Sequence, residues 1–217
     1  MNVLFDNLGL YLSAFATGTV ALFLVSGVGS LVLGTLLAGM RISPVPILRA
    51  FGAGYVSVLR NTPLTLVFFF FAFAYPRLEI VDLSFFARAC VALTVYTAAF
   101  VCEAIRSGIN TVPPGQAEAA RAIGMSFYQT LTMIVLPQAG RAVVAPLGSI
   151  FIALAKNSTI VGTIGLAESS NAMKDLINAN GDQVIPIFLV FAGTFAIVLI
   201  PTGYAFGWLA NRLAVKR

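Results

Sequence analysis

Residues 15–40 read FATGTVALFLVSGVGSLVLGTLLAGM, an uncharged, apolar run that is long enough to cross a bilayer as a single helix. No Lys or Arg precedes this run, and it is longer than the apolar core of a cleaved signal peptide, so it predicts a membrane span. The whole 217-residue chain has the same character, because 59% of its residues are hydrophobic and only 10% are charged. We therefore expect an integral membrane protein with one transmembrane domain over residues 1–217 and no separate water-soluble domain.

Four further apolar runs follow the first and predict an all-α membrane protein with five transmembrane helices. They cover residues 64–75, residues 85–101, a run that starts near residue 142, and residues 184–209. The second run follows the turn-like RNTP at 60–63. This turn is either a loop at the mouth of a pathway or the point where a cytoplasmic segment turns into the bilayer. The fourth run is interrupted by KNST at 156–159.

The distribution of Lys and Arg predicts how the chain is oriented. Five spans place the termini on opposite sides, and cytoplasmic loops carry an excess of basic residues. With the C-terminus inside, the basic residues on the inner side are Arg41, Arg49, Arg60, Arg106, Arg121, Arg141, Arg212, Lys216 and Arg217. Those outside are Arg77, Arg88 and Lys174. We therefore predict that the N-terminus is outside and the C-terminus is inside.

The composition argues against several classes of function. The chain has no His, so it cannot form a Ser-His dyad, an imidazole-ligated haem or a His-rich metal centre. Cys90 and Cys102 are twelve positions apart, about 18 Å along a helix, and are too distant to pair with each other. The net charge of +5 comes from basic residues scattered beside apolar runs, which suits membrane orientation better than nucleic-acid binding. We expect no catalytic residue, no metal site and no nucleic-acid partner.

A polar stretch at about residues 106–141 is predicted to form a cytoplasmic loop. Residues 107–141 read SGINTVPPGQAEAARAIGMSFYQTLTMIVLPQAGR, which indicates turn, helix, turn and helix. Residues 116–123 form a short helix with small side chains, and Gly124 stands at its C-terminal cap. Glu118 either pairs with Arg121 on the next turn or offers a carboxylate to a basic partner protein. The helix is accordingly either part of a solvated loop or a docking helix.

Four segments of the sequence resemble one protein family. They are RNTPLTLVFFF from residue 60, FVCEAIRSGINTVPPGQ from 100, GQAEAARAIG from 115 with VLPQAGR from 135, and ALAKNSTIVGTIGLAE from 153. In this order and spacing they resemble the permease subunits of ATP-binding-cassette (ABC) importers for polar amino acids, and most of all the glutamate-type members. The segment GQAEAARAIG is similar to the EAA loop of that family.

The resemblance implies a type I ABC importer permease whose EAA loop docks into a groove of a cytoplasmic ATPase. The docking residues that it implies are Gly115, Gln116, Ala117, Glu118, Ala119, Ala120, Arg121 and Gly124. It further implies a bacterial cytoplasmic membrane location, ABC ATPase subunits, a second permease subunit that is homologous or identical, and an extracytoplasmic amino-acid-binding protein. The chain itself would be a non-catalytic subunit in contact with membrane lipid and without a cofactor, because ATP and Mg belong to the ATPase.

Polar residues of the fourth run are candidates to line a substrate pathway. Only fourteen uncharged residues separate Arg141 from Lys156, about 21 Å of helix, so we expect a non-uniform structure at KNST. A charge at membrane depth is costly unless it faces protein or water, which favours a pathway role. The alternative is that Lys156 snorkels to the outer headgroups and Asn157 caps a helix end. The candidates are Ser149, Lys156, Asn157, Ser158 and Thr159.

The resemblance also bears on the substrate. Asn157 replaces an acidic residue of the KDTSL pattern of the family, and Ser149 and Ile150 stand where relatives that carry cationic amino acids can have Asn and Glu. A pathway with Lys156 and without those carboxylates suits an anionic or neutral substrate better than arginine or lysine. We therefore predict glutamate, with glutamine next.

Two alternatives from other classes stay open at this point. A stand-alone ion-coupled carrier or channel would use Lys156 and Glu103 as pathway charges and would need no ATPase. A membrane enzyme or assembly factor would have to act through Lys or Ser. For Glu103, an ion pair with Arg106 three positions later at the inner interface is favoured over a gating role.

Overall fold

The computed structural model describes residues 7–164 and 169–213, and no β-strand occurs within these two ranges. Their main helical segments, numbered in chain order, are α1 (Leu8–Ile42), α2 (Pro46–Asn61), α3 (Leu64–Leu78), α4 (Phe85–Asn110), α5 (Pro114–Ala122), α6 (Phe127–Gly162), α7 (Ser169–Ala179) and α8 (Val184–Leu213). Helix α5 packs beside the start of α6, and α7 packs beside the starts of α1 and α8. The bundle therefore has an α5 end and an α7 end.

Four helices are long and apolar enough to cross a membrane, namely α1, α4, α6 and α8. Helices α2 and α3 are long and apolar enough to cross a membrane only when they are taken together. They meet at a bend of 102°. The described residues thus contain four or five candidate spans, and the predicted number of five requires the bent pair to count as one span. The orientation remains a prediction, and Lys216 and Arg217, on which it partly rests, lie outside the described residues.

Small residues bring α1 and α4 close together at the centre of the bundle. A Cβ atom added at Gly34 would lie 2.6 Å from the Val101 side chain. Ser26 of α1 is fully buried, and its hydroxyl donates to the Cys90 carbonyl of α4 at 3.4 Å. In lipid, helix pairs are stabilised by such close packing, because the hydrophobic effect between helices is weak there. Helices α1 and α4 therefore form the central pair on which the others pack.

Helix α6 packs on α4, and α8 packs on α6. Gly108 of α4 lies against Val143 of α6, and a Cβ atom at Gly148 would lie 2.5 Å from the Phe206 ring of α8. Only 6% of the apolar section of α8 is buried within this chain. Most of the α8 surface is therefore available to lipid or to another subunit.

The helices differ from the sequence prediction in three places. Helix α1 begins at Leu8 instead of near residue 15. Residues 46–61, predicted to belong to an inner loop, form α2, which packs along α1 and α4, so Arg60 lies at the bend before α3. The expectation of a short fourth run is wrong, because α6 already begins at Phe127 inside the polar stretch. The non-uniform structure at KNST is only a change from α-helix to 3-10 helix over Ser158–Ile164.

Candidate coupling segment and substrate groove

Helix α5 carries the predicted docking residues on one short helix with a defined end. It starts after Pro113 and ends at Ala122, close to the predicted range of 116–123. Gly124 has a φ of 89°, and the Met125 amide donates to the Ala120 carbonyl at 3.1 Å. This is the Schellman form of a C-terminal cap, and its left-handed residue is usually Gly because a Cβ atom is strained there. The predicted cap at Gly124 is confirmed.

Most of the predicted docking residues are exposed on the surface of this chain. The exposed ones are Gly115, Gln116, Glu118, Ala119, Arg121 and Gly124. Ala120 is buried and holds α5 on the bundle, while Ala117 is half-buried. Glu118 and Arg121 form no ion pair with each other, so the pairing alternative is not observed. The outer face of α5 therefore combines small side chains with an accessible carboxylate.

A side-chain hydrogen bond and direct packing join α5 to α6. The Gln138 side-chain amide donates to the Gln116 side-chain oxygen at 2.6 Å. Ser126 and Gln129 form a capping box, in which the Ser126 amide donates to Gln129 Oε1 at 2.8 Å and the Gln129 amide donates to Ser126 Oγ at 3.2 Å. Helix α5 is therefore in contact with α6, and the capping box fixes the residue at which α6 begins.

Helix α6 presents Lys156 on an exposed face near the α7 end. Ala153 and Ser149, three and seven positions earlier, are exposed on the same helix face. Lys156 and Thr159 line a groove of about 400 Å³ between α6 and α8. Its other lining residues are apolar, namely Ile152, Phe195, Ala196, Leu199 and Ile200. An exposed helix face of Ala, Ser and Lys is typical of a surface that meets water or another subunit.

The structure brings only some of the predicted pathway residues together. Lys156 and Thr159 line the groove, but Asn157 is half-buried and is not part of the lining. Ser158 is fully buried, and its hydroxyl donates to the Ala155 carbonyl at 2.8 Å. Ser149 shares the face of Lys156 but lies about 10 Å away along the helix, outside the groove. Of the five residues that the sequence suggested for a pathway, the groove is therefore lined by Lys156 and Thr159.

A cluster of three charges lies at the α5 end of α1 and α4. The predicted pair of Glu103 with Arg106 is confirmed, with an N–O distance of 2.8 Å. Glu103 also pairs with Arg41 in the last turn of α1, a contact that the sequence reasoning missed. Gly52 of α2 leaves room for this arginine, because a Cβ atom there would lie 2.8 Å from Arg41 Cγ. The sequence could have indicated this contact only if it had been known that α1 and α4 pack side by side. In that case the last turn of α1, with Arg41, would have been placed beside Glu103 of α4.

Comparison with known families covers most of the chain. The family described as "Binding-protein-dependent transport system inner membrane component" matches residues 30–215. The chain belongs to this family. As a member, it is an inner membrane protein, and the predicted likeness to permeases of ABC importers is confirmed.

Two named relatives match this family member over nearly their whole length. The glutamate transport system permease protein GluC of Corynebacterium efficiens is 42% identical, and the match covers 100% of both chains. The probable glutamine ABC transporter permease protein GlnM of Bacillus subtilis is 38% identical over 98% of this chain and 97% of its own. A crystal structure of an amino acid ABC transporter with histidines has a TM-score of 0.88 at 25% identity and covers 96% of each chain. The predicted resemblance to glutamate-type permeases is therefore confirmed.

Proposed function

We propose that this family member is the transmembrane subunit of an ATP-driven importer of polar amino acids, with glutamate as its first substrate and glutamine as its second. The observation that carries the substrate assignment is Lys156 in the wall of the groove between α6 and α8. Of the described residues that line this groove, Lys156 alone is charged, so an anionic group entering it meets a cation and no carboxylate. A cationic amino acid would be repelled by the same group. The names of the glutamate and glutamine permeases among the relatives support this order.

Helix α6 supplies a physical link between the coupling segment and the groove. It begins at the capping box beside α5 and reaches Lys156 twenty-nine residues later, about 44 Å by helical rise. The helix contains a π-helical turn at Thr130–Val135 and Pro146 in its interior, and both are places where a helix bends. Closure of an ATPase pair on α5 would therefore move α6 and change the width of the groove.

The partners follow from the same arrangement. The groove is open at the surface of this chain, so a second permease subunit, homologous or identical, would close it. Two ABC ATPase subunits would bind the exposed face of α5 and would hold the ATP and Mg, while this chain performs no catalysis. An extracytoplasmic binding protein would deliver the substrate at the other side of the membrane.

Reconstitution of the complex tests this function. The tagged protein is purified in mild detergent together with the subunits that bind it, and the complex is placed in liposomes with ATP inside or outside. We expect ATP-dependent uptake of glutamate, weaker uptake of glutamine and little uptake of arginine. Arginine uptake without glutamate uptake would contradict the charge argument. Uptake driven by an ion gradient, in a preparation that holds no ATPase, would instead support the stand-alone carrier.

A further inference from the structure

The bend between α2 and α3 lies beside the middle part of α4, which is one of the candidate membrane spans. The Tyr55 hydroxyl of α2 donates to the Val95 carbonyl of α4 at 2.7 Å. The guanidinium of Arg60, five residues further along α2, lies 5.7 Å from the centre of the Phe100 ring of α4. Val95 and Phe100 are the eleventh and sixteenth residues of the 26-residue α4. By helical rise, the ring of Phe100 and the guanidinium beside it therefore lie about 15 Å from the Asn110 end of α4 and about 22 Å from its Phe85 end.

Arg60 has no hydrogen bond or ion pair with any described residue, although it is exposed at this depth. The polar side chains beside it are already engaged, because Asn61 donates to the Ser57 carbonyl at 2.7 Å and Thr62 to the Val58 carbonyl at 2.8 Å. These two bonds cap the end of α2, so Arg60 is not needed for that purpose. Its contact with Phe100 leaves the hydrogen-bonding groups of the guanidinium available.

Lipid is an unsuitable environment for this group. The half-thickness of the hydrocarbon core is about 15 Å, which is more than an arginine side chain can span to reach the headgroups from the middle. A broken helix at membrane depth is tolerated only where it is covered by protein or lines a water-filled cavity. An ionisable group in that position is typical of a substrate or ion pathway.

We infer that Arg60 binds the carboxylate of an amino acid at the middle of the translocation pathway. The inference rests on the proposed function, because it takes the substrate class from it. A guanidinium binds a carboxylate through two parallel hydrogen bonds, which a single lysine cannot reproduce. Lys156 lies nearer the α7 end, since Leu154, two positions before it, packs in one cluster with Leu93 of α4. The two cations are thus at different depths, separated by roughly 10 Å along the bundle, and would meet a carboxylate in succession.

The test measures substrate binding and transport separately. The complete complex carrying Arg60→Gln, Arg60→Lys or the control Arg77→Gln is assayed for equilibrium binding of radiolabelled glutamate and glutamine, without ATP and binding protein, and for ATP-driven uptake. Arg77 is an exposed basic residue near the far end of α3, away from the bend, so its replacement should leave both measurements unchanged. Arg60→Gln should weaken binding and uptake by about tenfold or more, and Arg60→Lys by less.

The substrate that is affected identifies the carboxylate. An equal loss for glutamate and glutamine assigns the α-carboxylate, which both carry, and a larger loss for glutamate assigns the side-chain carboxylate. Binding by Arg60→Gln within about twofold of the unmodified complex would overturn the inference. Loss of the second permease from purified Arg60→Gln would also overturn it, because Arg60 would then bind that subunit.

Arg60→Lys keeps the test decisive if the glutamine variant fails to assemble. An assembled Arg60→Lys complex with unchanged glutamate binding would exclude a two-hydrogen-bond carboxylate site. Failure of the proposed function is a separate outcome, because it shows as absent ATP-driven amino acid uptake by the unmodified complex.

Discussion

Arg41 in the last turn of α1 forms an ion pair with Glu103 of α4. Their side chains are only 17% and 20% exposed, and Arg106 binds the other carboxylate oxygen. One carboxylate therefore holds two arginines that belong to different helices. The pair fastens the central helices at the α5 end, next to the segment that leads into α5. This position makes Glu103 a structural connection, which leaves a gating role without support.

Glu103→Gln should destabilise the protein. The substitution removes the carboxylate that pairs with both arginines, and it leaves the largely buried Arg41 without a counter-charge, which costs roughly 1–3 kcal/mol. The thermal unfolding midpoint in detergent should fall, whereas Asp182→Asn, which removes an exposed carboxylate at the other end of the bundle, should leave it unchanged. Equal midpoints for the two variants would contradict the structural role of the cluster.

Gly34→Val tests the close approach of α1 and α4. A Cβ atom at this position would lie 2.6 Å from Val101, so a larger side chain must push the two helices apart. Overpacking of this kind costs roughly 1–3 kcal/mol. Gly39→Val on the same helix is the matched control. It also replaces a glycine with valine, but a Cβ atom at Gly39 would have no neighbouring atom within 4 Å. We expect a lower unfolding midpoint for Gly34→Val only, and a similar fall in both would attribute the effect to valine in the helix.

The sequence predicted those features that depend on local chemistry. Apolar runs identified α1, α4 and α8, and the PPG break with Gly124 identified α5, because span length and cap geometry are properties of neighbouring residues. Helix α2 was missed, since Arg49, Gly52, Gly54 and Arg60 interrupt its apolar character and its packing on α1 and α4 cannot be read from the chain itself.

The pathway residues show the same limit. The sequence singled out KNST by its polarity, but only the helical phase decides which of these side chains reach the groove. Lys156 and Thr159 line it, and Ser158 between them is fully buried in the bundle. The apolar lining from α8 could not be predicted, because it depends on how α8 packs against α6.

Glu118→Lys should uncouple the permease from its ATPase. The Glu118 carboxylate is exposed and has no partner among the described residues of the chain, so its reversal leaves the fold intact but repels a basic docking surface. The variant should still insert into the membrane and should lose the ATPase during purification. Glu79→Lys reverses an exposed charge at the other end of the bundle and should retain it. Unchanged ATP-driven uptake by Glu118→Lys would refute the coupling role.

Gly124→Ala tests whether the exit turn of α5 matters for coupling. The φ of 89° is strained for alanine, at a cost of about 1 kcal/mol, so the turn should relax and shift the docking face. We expect reduced ATP hydrolysis by the complete complex in response to substrate-loaded binding protein. Gly140→Ala, in the open surface of α6, should behave like the unmodified chain. Full stimulation in Gly124→Ala would show that the geometry of this turn is not required.

Lys156→Gln should change the choice of substrate more than the rate of transport. The groove wall keeps its shape, because the exposed lysine makes no ion pair in the described part of the chain, but it loses the charge that attracts an anion. Glutamate uptake should fall by about tenfold, because a charge-assisted contact contributes roughly 1.5–3 kcal/mol. Glutamine uptake should change by less, because glutamine lacks the side-chain charge. Competition between the two amino acids in proteoliposomes measures the ratio of glutamate uptake to glutamine uptake directly.

Lys174→Gln, on the exposed face of α7, is the control for a general loss of positive charge. If both substrates fell equally in Lys156→Gln, Lys156 would contribute to transport without selecting the anion, and the preference for glutamate would have to come from the binding protein.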